Sequence, residues 1–367
     1  MPISRELLAW IALSRAPEMN SAVLSTALEA LHGASGILDA TDELRARSGL
    51  SPAARAYLQS PAAEATAAEI AWLDNPDHHL LAFIDARYPQ ALRQATGCPI
   101  ALYVDGHPDV LNDAQLAIVG SRNPTAQGGQ TAFEFAEYLS QRGLTITSGL
   151  AEGIDTQAHR GALAASGPTI AVLGTGLDLV YPRSNQELAG QIAKTGALVS
   201  EFALGTPLRR ANFPQRNRII AALSLGTLVV EAARQSGSLI TARLAGEAGR
   251  EVFAIPGSIH NPLARGCHQL IRQGAKLTET ADDILTELDF SAEFARETPA
   301  VPAAGMDKDH KILLDALGFD PIDLDLLVAR TGFNAQAVSS MMLILELEGH
   351  VQAAPGGRYS RVVRSRR

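Results

Sequence analysis

Short apolar runs alternate with helix-length segments through the middle of the chain, from about Leu116 to Leu288. Six runs carry the pattern, at residues 117–119, 145–147, 170–173, 197–199, 228–230 and 252–255. Such continuous runs are typical of parallel strands that helices cover on both faces. The pattern therefore predicts an α/β fold with a doubly wound, extended Rossmann-like parallel sheet.

The two ends of the chain have helical spacing instead. Residues 1–75 are rich in alanine, and leucines recur at helical intervals before Gly33, which predicts a small all-α domain. Residues 76–290 would form the α/β domain, and 291–306 have the proline, glycine and weak periodicity of a linker. Residues 307–367 give three helical patterns and then a hairpin, which is the order of a winged helix.

Composition narrows the class of protein. With 367 residues and 46% hydrophobic content, the chain is long enough for two or three domains and reads as soluble and globular. No apolar run approaches the roughly 20 residues of a membrane span, and no secretory signal precedes the first helix, so we expect a cytoplasmic protein without membrane contact. Cys98 and Cys267 lack a metal-binding spacing, so neither a zinc site nor a disulfide framework is expected.

The charge pattern changes at residues 209–218, where four arginines and no acidic residue surround Phe213 and Pro214. The whole chain has a net charge of −8, so this cluster is a local feature. Arginines beside an exposed aromatic side chain suit a ligand with phosphates and flat bases, as in single-stranded nucleic acid. The alternative is an ordinary helix start whose arginines pair with nearby acids.

Loops of small residues follow five of the predicted strands, where open α/β sheets bind ligands. Backbone N–H groups at such loops favour anions, so several on one edge indicate a phosphate-bearing ligand. The loops are residues 120–122, 148–153, 174–176, 235–238 and 256–258.

Nucleotide fingerprints are incomplete in this chain. The glycines of residues 174–176 lack the third glycine of a dinucleotide motif, and no Gly-Lys-Ser/Thr occurs, so we expect no cofactor and no ATP hydrolysis. Glu152, Asp155 and His159 are the nearest approach to a catalytic group. Asp155 and His159 lie one helical turn apart and form either a base with its orienting partner or, as we favour, a structural pair at a helix start.

The helix after Phe213 places two of the clustered arginines on different sides. Steps of about 100° per residue put Arg216 on the apolar side with Ile219, facing the strand ends. Arg218 falls on the opposite side and is expected to be solvated. Phe213 either stacks on a base or packs in the core.

Five motifs in order resemble the DNA-processing protein A family (DprA, also called Smf). The resemblance covers the whole α/β domain, and the flanks resemble the longer family members, with a helical sterile-alpha-motif-like or helix-hairpin-helix-like domain in front and a winged helix behind. The motifs are residues 119–122, 148–155, 212–220, 236–242 and 254–258.

The resemblance implies a non-catalytic single-stranded DNA binder that protects incoming strands and helps load the RecA recombinase during natural transformation. It also implies a homodimer formed through the α/β domain, for which we suspect the segment around Leu270 and Ile271. By motif, Arg122, Arg210 and Phe213 would contact DNA. Position 210 is often lysine in the family, and arginine keeps the charge while adding a planar fork.

The predicted DNA site contains no metal and no catalytic residue. Its members are Gly120, Ser121, Arg122, Arg210, Asn212, Phe213, Arg216, Asn217, Gly237, Ser238 and Thr241. A nucleotide or sugar-phosphate hydrolase on a related fold stays open as the alternative. The would-be recognition helix of the winged helix, residues 334–348, has no lysine or arginine, which favours a protein contact or an auxiliary duplex contact there.

Overall fold

The structure, a computed structural model, describes residues 4–290, 307–318, 321–354 and 356–361. The N-terminal part is helical, as predicted, and side-chain oxygens cap several of its helices, for example Ser4 at the first and Asn20 at the second. The helices are α1 (Arg5–Arg15), α2 (Ser21–Ala30), α3 (Ala34–Asp39), α4 (Asp42–Arg47), α5 (Pro52–Gln59) and α6 (Ala63–Leu73).

The α/β part alternates strands with helices along the chain. Its strands are β1 (His78–Ala82), β2 (Ala101–Gly106), β3 (Gln115–Gly120), β4 (Thr145–Ser148), β5 (Thr169–Val172), β6 (Ala197–Ser200), β7 (Gly226–Val230), β8 (Glu251–Ala254) and β9 (Lys276–Leu277). Its helices are α7 (Gln90–Arg93), α8 (Ala126–Gln141), α9 (Ile154–Ala164), α10 (Gln186–Thr195), α11 (Asn212–Leu223), α12 (Ser238–Glu247), α13 (Arg265–Arg272) and α14 (Ala281–Glu287).

The strands form one sheet in the order β1-β2-β6-β5-β4-β3-β7-β8-β9. From β6 to β9 all neighbours are parallel, and the chain winds outward from β3 in both directions, so the strand order switches between β3 and β7. The doubly wound parallel sheet is therefore confirmed. Two apolar clusters, on opposite faces of the strands, bury the sheet under helices.

One edge of the sheet differs from the prediction. Strand β1 pairs antiparallel with β2, and β2 pairs antiparallel with β6. Both strands lie in a proline-containing stretch that the sequence presented as a bridge between domains, and the two-residue strand β9 was also missed. The sheet is mixed at this edge because β1 and β2 enter it without a crossover helix.

A buried polar contact joins the N-terminal helices to the sheet. Glu69 is fully buried and accepts hydrogen bonds from the Tyr103 hydroxyl (2.7 Å) and from Nε of Arg15 (3.0 Å). Nη2 of Arg15 also donates to the carbonyl of Leu204 (2.8 Å), in the loop that follows β6. This loop, which runs on toward the arginine cluster, is thus fixed to the helical part of the chain.

The C-terminal part has its own apolar core, which includes Leu313, Leu327, Val338 and Met342. Three helices and a three-stranded sheet in the order β10-β12-β11 give the predicted winged helix. The elements are α15 (Lys308–Leu317), β10 (Ile322–Asp323), α16 (Leu324–Thr331), α17 (Ala335–Leu347), β11 (Val351–Ala354) and β12 (Arg358–Arg361). The predicted linker, 291–306, lies outside the described residues.

Candidate functional site

The candidate site lies beyond the carboxyl ends of β3, β4 and β5. The loop after β3 carries Arg122, the loop after β5 carries Gly174, and the start of α11 brings Phe213 between them. Asn212 fixes this arrangement, since its side-chain amide donates to the carbonyl of Gly174 (2.8 Å) while the side chain is almost fully buried. This hydrogen bond therefore joins the start of α11 to the loop after β5.

Arg122 and Phe213 are in direct contact. The guanidinium carbon of Arg122 lies 5.2 Å from the centroid of the Phe213 ring, which is the range of a cation–π interaction. Arg122 is exposed and Phe213 is half-buried. A cation and an aromatic ring therefore share one patch of the surface at the strand ends, which we call the strand-end face.

Two more arginines lie close to the start of α11. Arg209 and Arg210 are both exposed and lie just before α11. With Arg122 they place three accessible cations around the start of this helix. Such a surface can attract a polyanion and contact several of its phosphates.

Arg216 is not the surface contact that we expected. It faces the strand ends, as its helical position predicted, but it is only 4% exposed and its Nη1 donates to the carbonyl of Val172 at the end of β5. A side chain at Gly149 would collide with this guanidinium, so the glycine makes room for it. Burial lowers the pKa of Arg216 to about 10, which still leaves it charged, and the charge of Asp155 opposes that shift.

Three other predicted site residues are buried. Asn217 is buried and its side-chain amide is 3.4 Å from the carbonyl of Gly237, which links α11 to the loop before α12. Ser238 is 8% exposed and shares a hydrogen bond of 2.6 Å with the Ser236 hydroxyl. Thr241 is 1% exposed. Burial removes Asn217, Ser238 and Thr241 from direct contact in this conformation, whereas Gly237 is exposed.

Gly120 and Ser121 shape the loop that carries Arg122. A Cβ at Gly120 would collide with the carbonyl of Val230 and with Ile154, so close packing requires this glycine. The carbonyl of Ser121 accepts from the Ile154 amide (3.1 Å) and its hydroxyl accepts from the Asn123 amide (3.2 Å). Both residues therefore position Arg122.

Arg218 is not solvated as expected. Its guanidinium pairs with Glu201, whose side chain is only 9% exposed, and Gln215 lies 3.3 Å from the same carboxylate. Burial raises the pKa of Glu201, and the charge of Arg218 opposes this. The acid lies in the loop after β6, so the sequence pattern around Arg218 gave no sign of it.

Asp155 and His159 have structural roles, as we favoured over a catalytic pair. The Asp155 carboxylate accepts from the amides of Gly149 (3.1 Å) and Ala151 (3.3 Å) and so holds the loop after β4. His159 is fully buried, and burial lowers its pKa to about 3, with a further contribution from the charge of Arg216.

The hydrogen bond of His159 fixes the tautomer of its neutral ring. The Thr169 hydroxyl donates to the carbonyl of Ile146 (2.6 Å), so it accepts from Nδ1 of His159 (2.7 Å). The proton is therefore on Nδ1, and Nε2 is buried without a hydrogen-bond partner. Glu152, the third member of the candidate catalytic group, is exposed and accepts from the Ser184 hydroxyl (3.1 Å). The three side chains thus have separate partners.

The switch point between β3 and β7 is where a doubly wound sheet usually binds a nucleotide phosphate. Here the carboxylate of Glu231 accepts from the backbone amide (2.7 Å) and the hydroxyl (2.6 Å) of Thr125, the N-cap of α8, and from Asn261 (3.2 Å). A side chain at Gly128 would overlap this carboxyl group. The chain's own carboxylate is thus fixed at the N-cap of α8, close to the helix end where a phosphate is commonly bound.

Sequence reasoning missed Tyr181 as well as Glu231. Tyr181 lies in the loop after β5 with its ring centroid 6.3 Å from that of Phe213, and it is 44% exposed. An aromatic residue before Pro182, downstream of the Gly174–Gly176 turn, was the available signal. No feature of the sequence around Glu231 indicated that its side chain contacts Thr125.

Among the described residues, no group of three or more His, Cys, Asp or Glu side chains could hold a metal ion. Within the same residues, every helix is too short or too polar to cross a membrane. Cys98 and Cys267 are both buried and unpaired with each other.

The fold and site define a class: a doubly wound α/β protein with an arginine and aromatic surface at its strand ends, followed by a winged helix. The sequence profile described as DNA recombination-mediator protein A matches residues 79–289, and the DprA winged helix domain matches residues 297–357. The chain belongs to the DNA recombination-mediator protein A family, known as DprA or Smf.

Individual relatives agree with this assignment. Protein Smf of Escherichia coli (strain K12) is 45% identical over 294 residues, which cover 78% of this chain and 79% of the relative. The X-ray structure of DprA from Streptococcus pneumoniae has a TM-score of 0.67 and 35% identity, covering 79% of this chain and 100% of that one. DprA from Helicobacter pylori, whose structure is described for its single-stranded DNA binding mode, has a TM-score of 0.53 and 29% identity, covering 57% of this chain and 95% of that one.

Proposed function

We propose that this chain is a non-catalytic single-stranded DNA-binding recombination mediator that protects incoming strands and helps load RecA during natural transformation. The observation that carries the proposal is the exposed Arg122 lying against the Phe213 ring at the strand ends. Family membership, and the binding mode described for the relative from Helicobacter pylori, support it. Arg210 adds a phosphate contact beside this pair.

The chemistry of the strand-end face favours a single strand over a duplex. Guanidinium groups at positions 122, 209 and 210 bind phosphates of either form. Aromatic rings gain from bases only where the base faces are open, which a duplex prevents. Binding should therefore be independent of base sequence and strongly dependent on salt.

The Glu231 carboxylate at the switch point argues against the hydrolase alternative. A nucleotide or sugar phosphate entering there would meet a fixed negative charge already bonded to Thr125. Of the three candidate catalytic residues, Asp155 accepts hydrogen bonds from loop amides and His159 is buried and neutral. Glu152 is therefore the one acid among the three that a substrate could reach. We propose that the protein has no catalytic turnover.

We propose a homodimer through the α12–α13 side of the α/β domain. Leu270, which we suspected at the interface, is buried in the chain's own core and Ile271 is half-buried, so neither forms an exposed patch. A groove with a volume of about 640 Å³, between α12 and α13, and the exposed Leu277 on edge strand β9 are the more suitable surfaces. Two strand-end faces on one dimer would raise the affinity for strands long enough to span both.

Dimerisation is tested with Leu277→Arg by light scattering after size exclusion. The variant should be monomeric and should lose affinity for long oligonucleotides, while short ones bind as before. A dimer that persists in Leu277→Arg would move the interface elsewhere.

The binding proposal is tested by gel-shift titration with a labelled single strand, across a salt series. Unlabelled single strand should compete, duplex should compete poorly, and mononucleotide should not compete. The logarithm of affinity should fall by about 0.7 per phosphate contact for each tenfold rise in salt. Equal competition by a mononucleotide would instead favour the nucleotide-phosphate alternative.

Loading and turnover need separate assays. RecA filaments should assemble faster on strands coated with single-strand binding protein when the wild type is added, but not with the Arg122→Ala/Arg210→Ala variant. Nucleoside monophosphates, ATP and NAD should give no product above the level of Glu152→Gln, a matched control at an exposed residue. Product that disappears in Glu152→Gln would restore the enzyme hypothesis.

A further inference from the structure

Phe213 has little free ring surface left for a base. Arg122 lies over the ring, with its guanidinium carbon 5.2 Å from the centroid, and Tyr181 lies beside it at 6.3 Å with the ring planes at 55°. The backbone of Gly174 packs against a ring edge, since a Cβ there would be 3.5 Å from Cδ1 of Phe213. Three neighbours thus surround a side chain that is only half-exposed.

The ring of Tyr181, unlike that of Phe213, is open to solvent. It is 44% exposed, and its contact with Phe213 is tilted, so the two rings do not cover each other face to face. An exposed tyrosine offers a flat apolar surface with few rotatable bonds, which suits stacking on a base. It is also the outermost aromatic side chain of this cluster.

The loop that carries Tyr181 is held at both ends. The hydroxyl of Thr175 donates to the carbonyl of Leu179 (2.6 Å), and Asn185 donates to the carbonyl of Leu150 (3.0 Å) through its side chain and to that of Pro182 (3.0 Å) through its backbone. A side chain on a fixed loop loses little conformational freedom when a ligand binds. Tyr181 is therefore positioned before the DNA arrives.

We propose that Tyr181 is the residue on which a base of the bound strand stacks, and that Phe213 is a positioning residue that holds Tyr181 and Arg122 in place. This assignment rests on the proposed single-stranded DNA binding and revises the role expected for Phe213. Arg122 then contacts the phosphate next to the stacked base, because the Phe213 ring fixes its guanidinium beside Tyr181.

The test compares substitutions at one position that keep or remove the ring. Tyr181→Leu should weaken binding of a single-stranded oligonucleotide about 5- to 150-fold, the range for one stacked base, with an unchanged salt slope because no charge is lost. Tyr181→Phe should bind within about twofold of the wild type, because the stacking ring is retained. Leu179→Ala, in the same loop and also partly exposed, is the matched control and should bind like the wild type.

Phe213→Leu provides the contrasting variant. If Phe213 positions Arg122, this substitution should lower both the affinity and the salt slope, since the phosphate contact is disturbed. Photocrosslinking with an oligonucleotide that contains 5-iododeoxyuridine should label Tyr181 in the wild type, as read by mass spectrometry of the peptides.

Three results would decide whether Tyr181 is the stacking residue. Wild-type affinity in Tyr181→Leu, with crosslinks on Phe213 instead, would overturn the assignment and leave the proposed function standing. Failure of the wild type to bind any single strand would overturn both. Loss of affinity in Tyr181→Leu together with labelling of Tyr181 would establish the assignment.

Discussion

The strand-end face and helix α17 are two surfaces that fold class alone would nominate for DNA, and they differ in what they expose. The first presents Arg122 beside two aromatic rings, and the exposed Arg209 and Arg210 lie just before the start of α11. Helix α17, in the recognition position of the winged helix, presents Leu343 (59% exposed) and Leu347 (81%), and it contains no lysine or arginine.

The difference teaches that a motif's usual ligand does not follow from its topology. A helix that enters a DNA groove brings cations to the phosphates, and an apolar face with Glu346 and Glu348 nearby does not. We therefore propose the strand-end face, rather than α17, for single-strand binding, and we regard α17 as a surface suited to protein contact. The tail arginines Arg364, Arg366 and Arg367 lie outside the described residues.

The largest expected effect is on the free energy of unfolding, and it distinguishes the buried Arg216 from the exposed Arg122. Arg216→Met should lower the free energy of unfolding by about 3 kcal/mol, because the carbonyl of Val172 and the carboxylate of Asp155 lose a buried cation. Arg122→Ala should change it by about 0.5 kcal/mol or less, as for an exposed site. Urea unfolding followed by the fluorescence of Trp10 and Trp72, the two tryptophans of the chain, measures both. Wild-type stability with weakened DNA binding in Arg216→Met would make it a direct contact after all.

A smaller effect on the free energy of unfolding is expected from His159, in the α/β part, as the pH falls. Its folded pKa of about 3 is below the unfolded value of about 6.5, so only the unfolded chain takes up a proton as the pH falls. The stability present above pH 6.5 is therefore lost toward pH 3, by about 2 kcal/mol at pH 5. Urea unfolding from pH 8 to pH 5 should show this loss in the wild type and not in His159→Asn, which keeps a donor for Thr169. Parallel pH profiles for the two proteins would contradict the buried, neutral imidazole.

Arg210→Ala should weaken single-strand binding by removing one phosphate contact. The salt slope should fall by about 0.7 to 1 unit, with no change in the unfolding midpoint, since the side chain is exposed. Arg210→Lys should retain most of the binding because it keeps the charge. Titration by fluorescence anisotropy at several salt concentrations gives both values, and an unchanged slope in Arg210→Ala would place the strand elsewhere.

The smallest effect is expected from the winged helix. Removing residues 306–367 should leave single-strand affinity and dimerisation mostly intact, since this part has its own core. Leu343→Ser/Leu347→Ser should likewise bind single strands as the wild type does. Loss of binding or of the dimer in either protein would move the functional centre to the C-terminal part.

Periodicity predicted the parallel strands and the winged helix, because burial on two faces and helical spacing leave a direct trace in the sequence. It missed β1 and β2, whose proline-containing surroundings gave no alternation with helices. Among site residues, glycine loops and motifs brought Arg122 and Phe213 together correctly. They could not separate exposed from enclosed side chains: Arg216 faces the predicted direction but is covered, and Arg218 meets Glu201 from a distant loop.

The central claim, that single strands bind at the strand-end face, is tested most directly by two matched double variants. Arg122→Ala/Arg210→Ala and Lys308→Ala/Lys311→Ala each remove two exposed cations, the second pair from α15 of the winged helix. In a salt-series titration with one oligonucleotide, the first should reduce the slope by about 1.4 to 2 units and weaken binding strongly, while the second leaves both near wild type. The reverse ranking, in two folded proteins, would contradict the account.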